Sequence, residues 1–134
     1  MRNTSVETAN FISSVEKFKL HASLTILGQD LQVIIWGGDK PHIGAVALAQ
    51  SRPSLENPEK TSSTSSILSI VGHKENIVVQ YVSEKLSATL KTNVAVTAGM
   101  HWNVFDEEDI EMVMRSVDNL LQLIINFLQS KGLP

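Results

Sequence analysis

The hydrophobic period of this chain changes once, and that change restricts its fold more than any other feature. Phe18, Leu20, Ala22, Leu24 and Ile26 alternate with Lys19, His21, Ser23 and Thr25, the spacing of a strand buried on one face. Gly28-Gln29-Asp30 is then a turn, and Leu31 to Trp36 a second strand of the same hairpin. His42 to Gln50 and Ile67 to Val71 read as a third and a fourth strand. After Gly72-His73 the apolar residues Ile77, Val78, Tyr81, Val82, Leu86 and Leu90 fall at helical spacing, which predicts a helix from Lys74 to Leu90. Asn93 to Ala98 is a fifth strand. Asp106 then caps a helix from Glu107 to Ser130, with acidic side chains from Asp106 to Asp109 at the positive end of its dipole. The order ββββαβα predicts an α+β two-layer sandwich. Its sheet is mostly antiparallel with about five to six strands, and two helices lie on one face.

At 134 residues and 43% hydrophobic, the chain is the size of one domain, 1–134, able to bury a real core. Residues 1–16 carry little pattern and are expected to form a partly ordered arm beginning with a short helix or strand. Ser51 to Ser66, rich in Ser, Pro and charge, reads as a mobile loop within the domain. A net charge of -3 with no basic run offers no footprint for nucleic acid or an anionic membrane. The absence of cysteine excludes disulfides and thiolate metal sites. The N-terminus lacks the apolar core of a signal peptide, so a cytoplasmic protein is expected. Apolar surface on Ile124, Phe127 and Leu128, with exposed strand edges, suggests a homodimer.

Three histidines sit beside glycine at strand ends: "GGDKPHIGAV" at 37–46, "GHKE" at 72–75 and "GMHWN" at 99–103. If strands three and four are antiparallel and the helical crossover sets strands four and five parallel, His42, His73 and His101 share one edge of the sheet. That edge is where such sheets commonly bind ligands. Gly72-His73-Lys74 opens a helix whose backbone N–H groups, dipole and lysine suit a phosphate. Gly37, Gly38, Gly44, Gly72 and Gly99 allow close backbone approach. Pro41 stiffens the loop that presents His42, and Gly44 keeps the start of strand three bare beneath a flat ring. Trp36, Trp102 and Phe105 flank these loops and could cover a ring system. Each residue also has a plainer role. Hairpin geometry accounts for Gly37-Gly38, turn histidines usually hydrogen-bond their own loops, and Lys74-Glu75 is an ordinary helix start. A three-histidine zinc site has the residue count without the spacing, and no G-x-S-x-G elbow marks a hydrolase. No metal and no catalytic residue is assigned.

Three segments together carry a resemblance over roughly Leu24 to Ile124. They are "GQDLQVIIWGGDKPHIGAVALAQS", "GHKENIVVQYVSEKL" and "VAVTAGMHWNVFDEEDI". The chain resembles the prenylated-flavin chaperone family, that of the small D subunit of gallate decarboxylase. Pro41, His42, Gly44, His73, Lys74, Gly99 and His101 match its pattern. Met100 stands where relatives commonly carry isoleucine, and Asn103 where many carry an acid. The resemblance implies a fold similar to proteasome assembly chaperones, usually dimeric. It further implies a non-enzyme that binds prenylated FMN or FMN as cargo and helps mature a UbiD-like apo-decarboxylase. The alternative is a protein-assembly module with no small-molecule ligand, in which the same rim is only a tight corner.

Overall fold

A computed structural model of the chain describes residues 6–15, 17–70 and 75–133. Its strands are β1 (Val6–Ile12), β2 (Leu20–Leu27), β3 (Asp30–Gly38), β4 (Ala45–Pro53), β5 (Thr61–Ser69) and β6 (Val94–His101). Helix α1 (Asn76–Leu90) precedes β6, and a 3-10 turn at Glu107–Asp109 leads into α2 (Ile110–Ser130). The six strands form one sheet in the order β1-β2-β3-β6-β4-β5. Only β3 and β6 pair in parallel. The α+β order is as the periodicity predicts, with one further strand at the start.

One face of the sheet makes the core. Leu20, Ala22 and Leu24 of β2, Val33 and Ile35 of β3, and Val94, Val96 and Ala98 of β6 are fully buried on it. Both helices cover this face: α1 over β4, β5 and β6, and α2 against β1 and β2. Ala45, Ala47 and Ala49 are the buried residues of β4, and their small side chains let α1 come close. The α2 stripe is consumed by the same core. Ile124 and Leu128 are buried, and Phe127 meets Phe11 edge-on at 5.6 Å, so these residues are not the spare apolar surface that a dimer was expected to use.

Ser51 to Ser66 is largely strand rather than loop. Arg52 and Pro53 pair with Ser62 and Thr61, leaving residues 54–60 as the connection. Serine is a weak strand former, so the run carries no strand signal of its own. The partner strand and the helix above supply it. Ser63 Oγ donates to the Glu84 carbonyl at 2.8 Å and Ser65 Oγ to Glu84 Oε2 at 2.9 Å, fastening β5 beneath α1. Residues 6–12, within the expected arm, form β1 along β2.

The helices are joined by Tyr81, whose hydroxyl donates to Asp118 Oδ1 at 2.6 Å. That bond, then burial, then the carboxylate charge raise the phenol above its ordinary value. A raised value means that the unfolded chain ionises first. The contact therefore contributes stability below about pH 10 and loses it as pH rises through the folded value. The difference in unfolding stability between wild type and Tyr81→Phe is expected to shrink above that pH. A constant difference across the alkaline range would show that the pair is inert.

Candidate functional site

The parallel pairing of β3 with β6 brings the predicted rim together. Gly38 lies opposite His101, and its φ of +82° turns the chain out of β3. Asp39 N–H then donates to the His101 carbonyl at 2.6 Å, and Asp39 Oδ2 accepts from Asn103 N–H at 2.8 Å. These bonds fasten the β3–β4 loop to the loop after β6. The chain next crosses β6 at Gly99, where any Cβ would overlap the His42 carbonyl. Gly44 N–H donates to the Ala98 carbonyl at 2.9 Å as β4 begins. Pro41 lies at the exposed crest. Gly72, His73 and Lys74 lie outside the described residues.

His42 and Glu75 form the inner part of this rim. The imidazole Nδ1 is 2.8 Å from the Lys40 carbonyl, and Nε2 is 3.1 Å from Glu75 Oε1. Glu75 is 7% exposed at the start of α1 and also accepts from Met100 N–H at 3.4 Å. A carboxylate is favourable at a helix N-terminus. A Cβ on Gly44 would overlap this carboxylate. The space at Gly44, expected to lie beneath a flat ring, is filled by Glu75, and Gly37, Gly38 and Gly99 likewise face neighbouring chain. These four glycines serve close packing of the rim itself. Sequence reasoning missed Glu75, because a glutamate beginning a helix carries no special signal.

Beside this corner, between α1, the loop after β6 and the start of α2, runs a groove of about 480 Å³. Val78, Met100, Trp102, Phe105, Val113 and Met114 give it an apolar wall. Trp102 and Phe105 stack at 5.9 Å and 17°, and Phe18 meets both edge-on at 5.0 and 5.5 Å. Phe18 is buried with a φ of +61°, so a strained backbone position anchors the aromatic cluster. Trp36 is elsewhere. It stacks on His21 at 5.5 Å on the face of the sheet away from the helices, because residue alternation puts it opposite the buried Ile35. At the polar edge of the groove stand Glu75, His101, Asn103, Asp106 and Glu107. Its described walls contain no lysine or arginine.

The profile of the prenylated flavin chaperone LpdD-like domain matches residues 14–129. The chain belongs to this family. Protein LpdD of Lactiplantibacillus plantarum is 26% identical over 122 residues, covering 91% of this chain and 86% of its own. Among solved structures, a chain of a novel chaperone complex for yeast 20S proteasome assembly superposes with a TM-score of 0.58 at 10% identity. The match covers 93% of this chain and 96% of that one. At that identity the likeness concerns the fold alone. The family match includes both halves of the rim and the groove beside it, so a chaperone associated with prenylated flavin is the class in which the site has to be understood.

Proposed function

We propose that the chain binds a flavin mononucleotide, prenylated FMN or FMN, as cargo without transforming it, and presents it to a UbiD-like apo-decarboxylase in the cytoplasm. The observation that carries this is the groove. Its volume is in the range of small-molecule sites, and it combines an apolar wall, stacked aromatics and a few polar edge groups. Trp102 and Phe105 offer ring faces, Met100 and Met114 adapt to an irregular ring outline, and Asn103 and His101 supply hydrogen-bonding edges. Bound flavin would bring a redox-active ring, which these walls would shield from water. The carboxylates of Glu75, Asp106 and Glu107 give the described edge of the groove no counter-charge for a phosphate, so Lys74, next in sequence to Glu75, is the cation assigned to it. Among the described residues no helix is long and apolar enough to cross a membrane.

Calorimetric titration with FMN and with riboflavin, which lacks the phosphate, tests both halves. Met114→Trp fills the groove and is expected to abolish binding of both ligands while circular dichroism stays unchanged. Lys74→Ala is expected to weaken FMN by about 1–2 kcal/mol, the scale of a partly exposed charge-assisted contact, and to leave riboflavin unaffected. Flavin binding indifferent to Met114→Trp, or no binding of FMN or prenylated FMN at all, would leave the assembly-module alternative.

A further inference from the structure

Strand β5 ends the sheet on one side, and its outer edge presents a row of backbone groups. Ile70 N–H donates to the Gly44 carbonyl and Ser54 N–H to the Lys60 carbonyl, each at 2.8 Å. Between these bonds the register runs unbroken from Ala45 opposite Ser69 to Pro53 opposite Thr61, so the even-numbered residues of β5 bond to β4. The N–H and C=O groups of Thr61, Ser63, Ser65, Ile67 and Ser69 therefore point away from the sheet. Sheet edges are normally guarded by charge, by proline or by a covering element. The opposite edge, β1, follows that rule. Its Glu7 pairs with Lys131, just past α2, at 2.6 Å, and Phe127 of α2 packs on its Phe11. By contrast, Thr61–Ser69 contains no charged residue and no proline. Beside this edge, on the helix side, lies a second groove of about 500 Å³ between Ser63 and one stripe of α1 formed by Ile77, Tyr81, Lys85 and Ala88. Ile77 is 60% exposed there.

We infer that β5 accepts an extended segment of a partner polypeptide as a seventh strand, seated between this edge and α1. The backbone selects the conformation, because only an extended chain meets N–H and C=O groups repeating at about 6.6 Å. Side chains select the chemistry. Those of the added strand that face the helix side meet Ile77 toward one end of the groove and the exposed Lys85 toward the other. Eight residues of α1 separate the two, about 12 Å along the helix, and about four residues of strand span the same length. The fitting segment carries an apolar side chain and, four residues away, a carboxylate. Glu84 is already committed to Ser65 at 2.9 Å, which leaves Lys85 to be matched from outside. A second copy of β5 brings no carboxylate, so charge assigns the site to a different chain. The inference stands independently of the flavin proposal.

The probe is a nine-residue peptide, capped at both ends, of alternating valine and threonine, with one isoleucine and, four residues on, one glutamate on the valine face. Fluorescence anisotropy is expected to show it binding the intact chain, and amide exchange at Ser63, Ser65 and Ile67, fast in the protein alone, is expected to slow on binding. Ser65→Pro removes an outward N–H at an edge position where proline is tolerated and is expected to weaken the peptide at least about tenfold. Ser65→Ala, which keeps the N–H and loses only the hydroxyl, is expected to bind as wild type does. Lys85→Glu is expected to reverse the preference for this peptide over its glutamate-to-lysine counterpart. Should the proline variant fold poorly, N-methylation of one alternate set of peptide amides is expected to abolish binding to the wild type, and of the other set to spare it. Failure of the peptide to bind overturns the inference, and so does binding that Ser65→Pro and both methylated sets leave unchanged. Slow exchange at Ser63, Ser65 and Ile67 in the protein alone also overturns it, since a second copy would then occupy the edge.

Discussion

Gly99→Val is expected to leave the protein unable to fold, and Gly99→Ala to destabilise it by about 4 kcal/mol or more, at the extreme of single substitutions. Gly99 does not have the positive φ that usually explains an essential glycine. The reason is that the backbone of the β3–β4 loop lies directly over it, with the His42 carbonyl where a Cβ would stand. A side chain in the way could rotate, but a carbonyl cannot move without its chain. That chain is fixed on both sides of the crossing, by Asp39 N–H on the His101 carbonyl and Gly44 N–H on the Ala98 carbonyl. Relief would have to break the β4–β6 pairing at its start. Gly132 is the internal control, since its φ is +86° and nothing lies within 4 Å of its Cβ position. Gly132→Ala should cost only about 1 kcal/mol, the backbone penalty alone. Urea unfolding measures both. A Gly99→Ala midpoint no lower than that of Gly132→Ala would show that the crossing is loose.

The pattern of apolar residues carried much of this fold because it arises from burial, and burial is what alternation and helical stripes record. Leu20 to Ile26 and Val113 to Leu128 show their inward faces in sequence and bury them in the structure. Only the end of strand β5, from Ile67, announced itself, since Thr61 to Ser66 is polar on both faces and becomes a strand only through β4 and the Glu84 contacts. Insertion of β6 between β3 and β4 was equally hidden, because pairing partners leave no local trace. The gathering of Gly38, His42 and His101 at one rim was legible, as strand direction alone determines it. What fills the rim was not. The sequence places Glu75 beside Lys74, and only the fold turns its carboxylate back beneath Gly44 and toward His42.

That arrangement makes Gly44 and Glu75 a coupled pair, and a double-mutant cycle should find them so. Gly44→Ala puts a Cβ into the carboxylate of Glu75, which must swing away from His42 Nε2 and the Met100 amide. The expected cost is about 2–3 kcal/mol, the sum of a lost charge-assisted contact and a displaced buried charge. Glu75→Ala alone removes the same contacts and should cost a similar amount. Once the carboxylate is gone, however, the space that Gly44 guards is empty, and Gly44→Ala in that background should cost less than about 1 kcal/mol. The coupling energy is then about 2 kcal/mol, well beyond the few tenths expected of independent sites. Additive losses in chemical denaturation would mean that the two residues do not share this space. A glycine kept bare for a ligand behaves differently, because Gly44→Ala would then reduce flavin affinity and leave stability untouched.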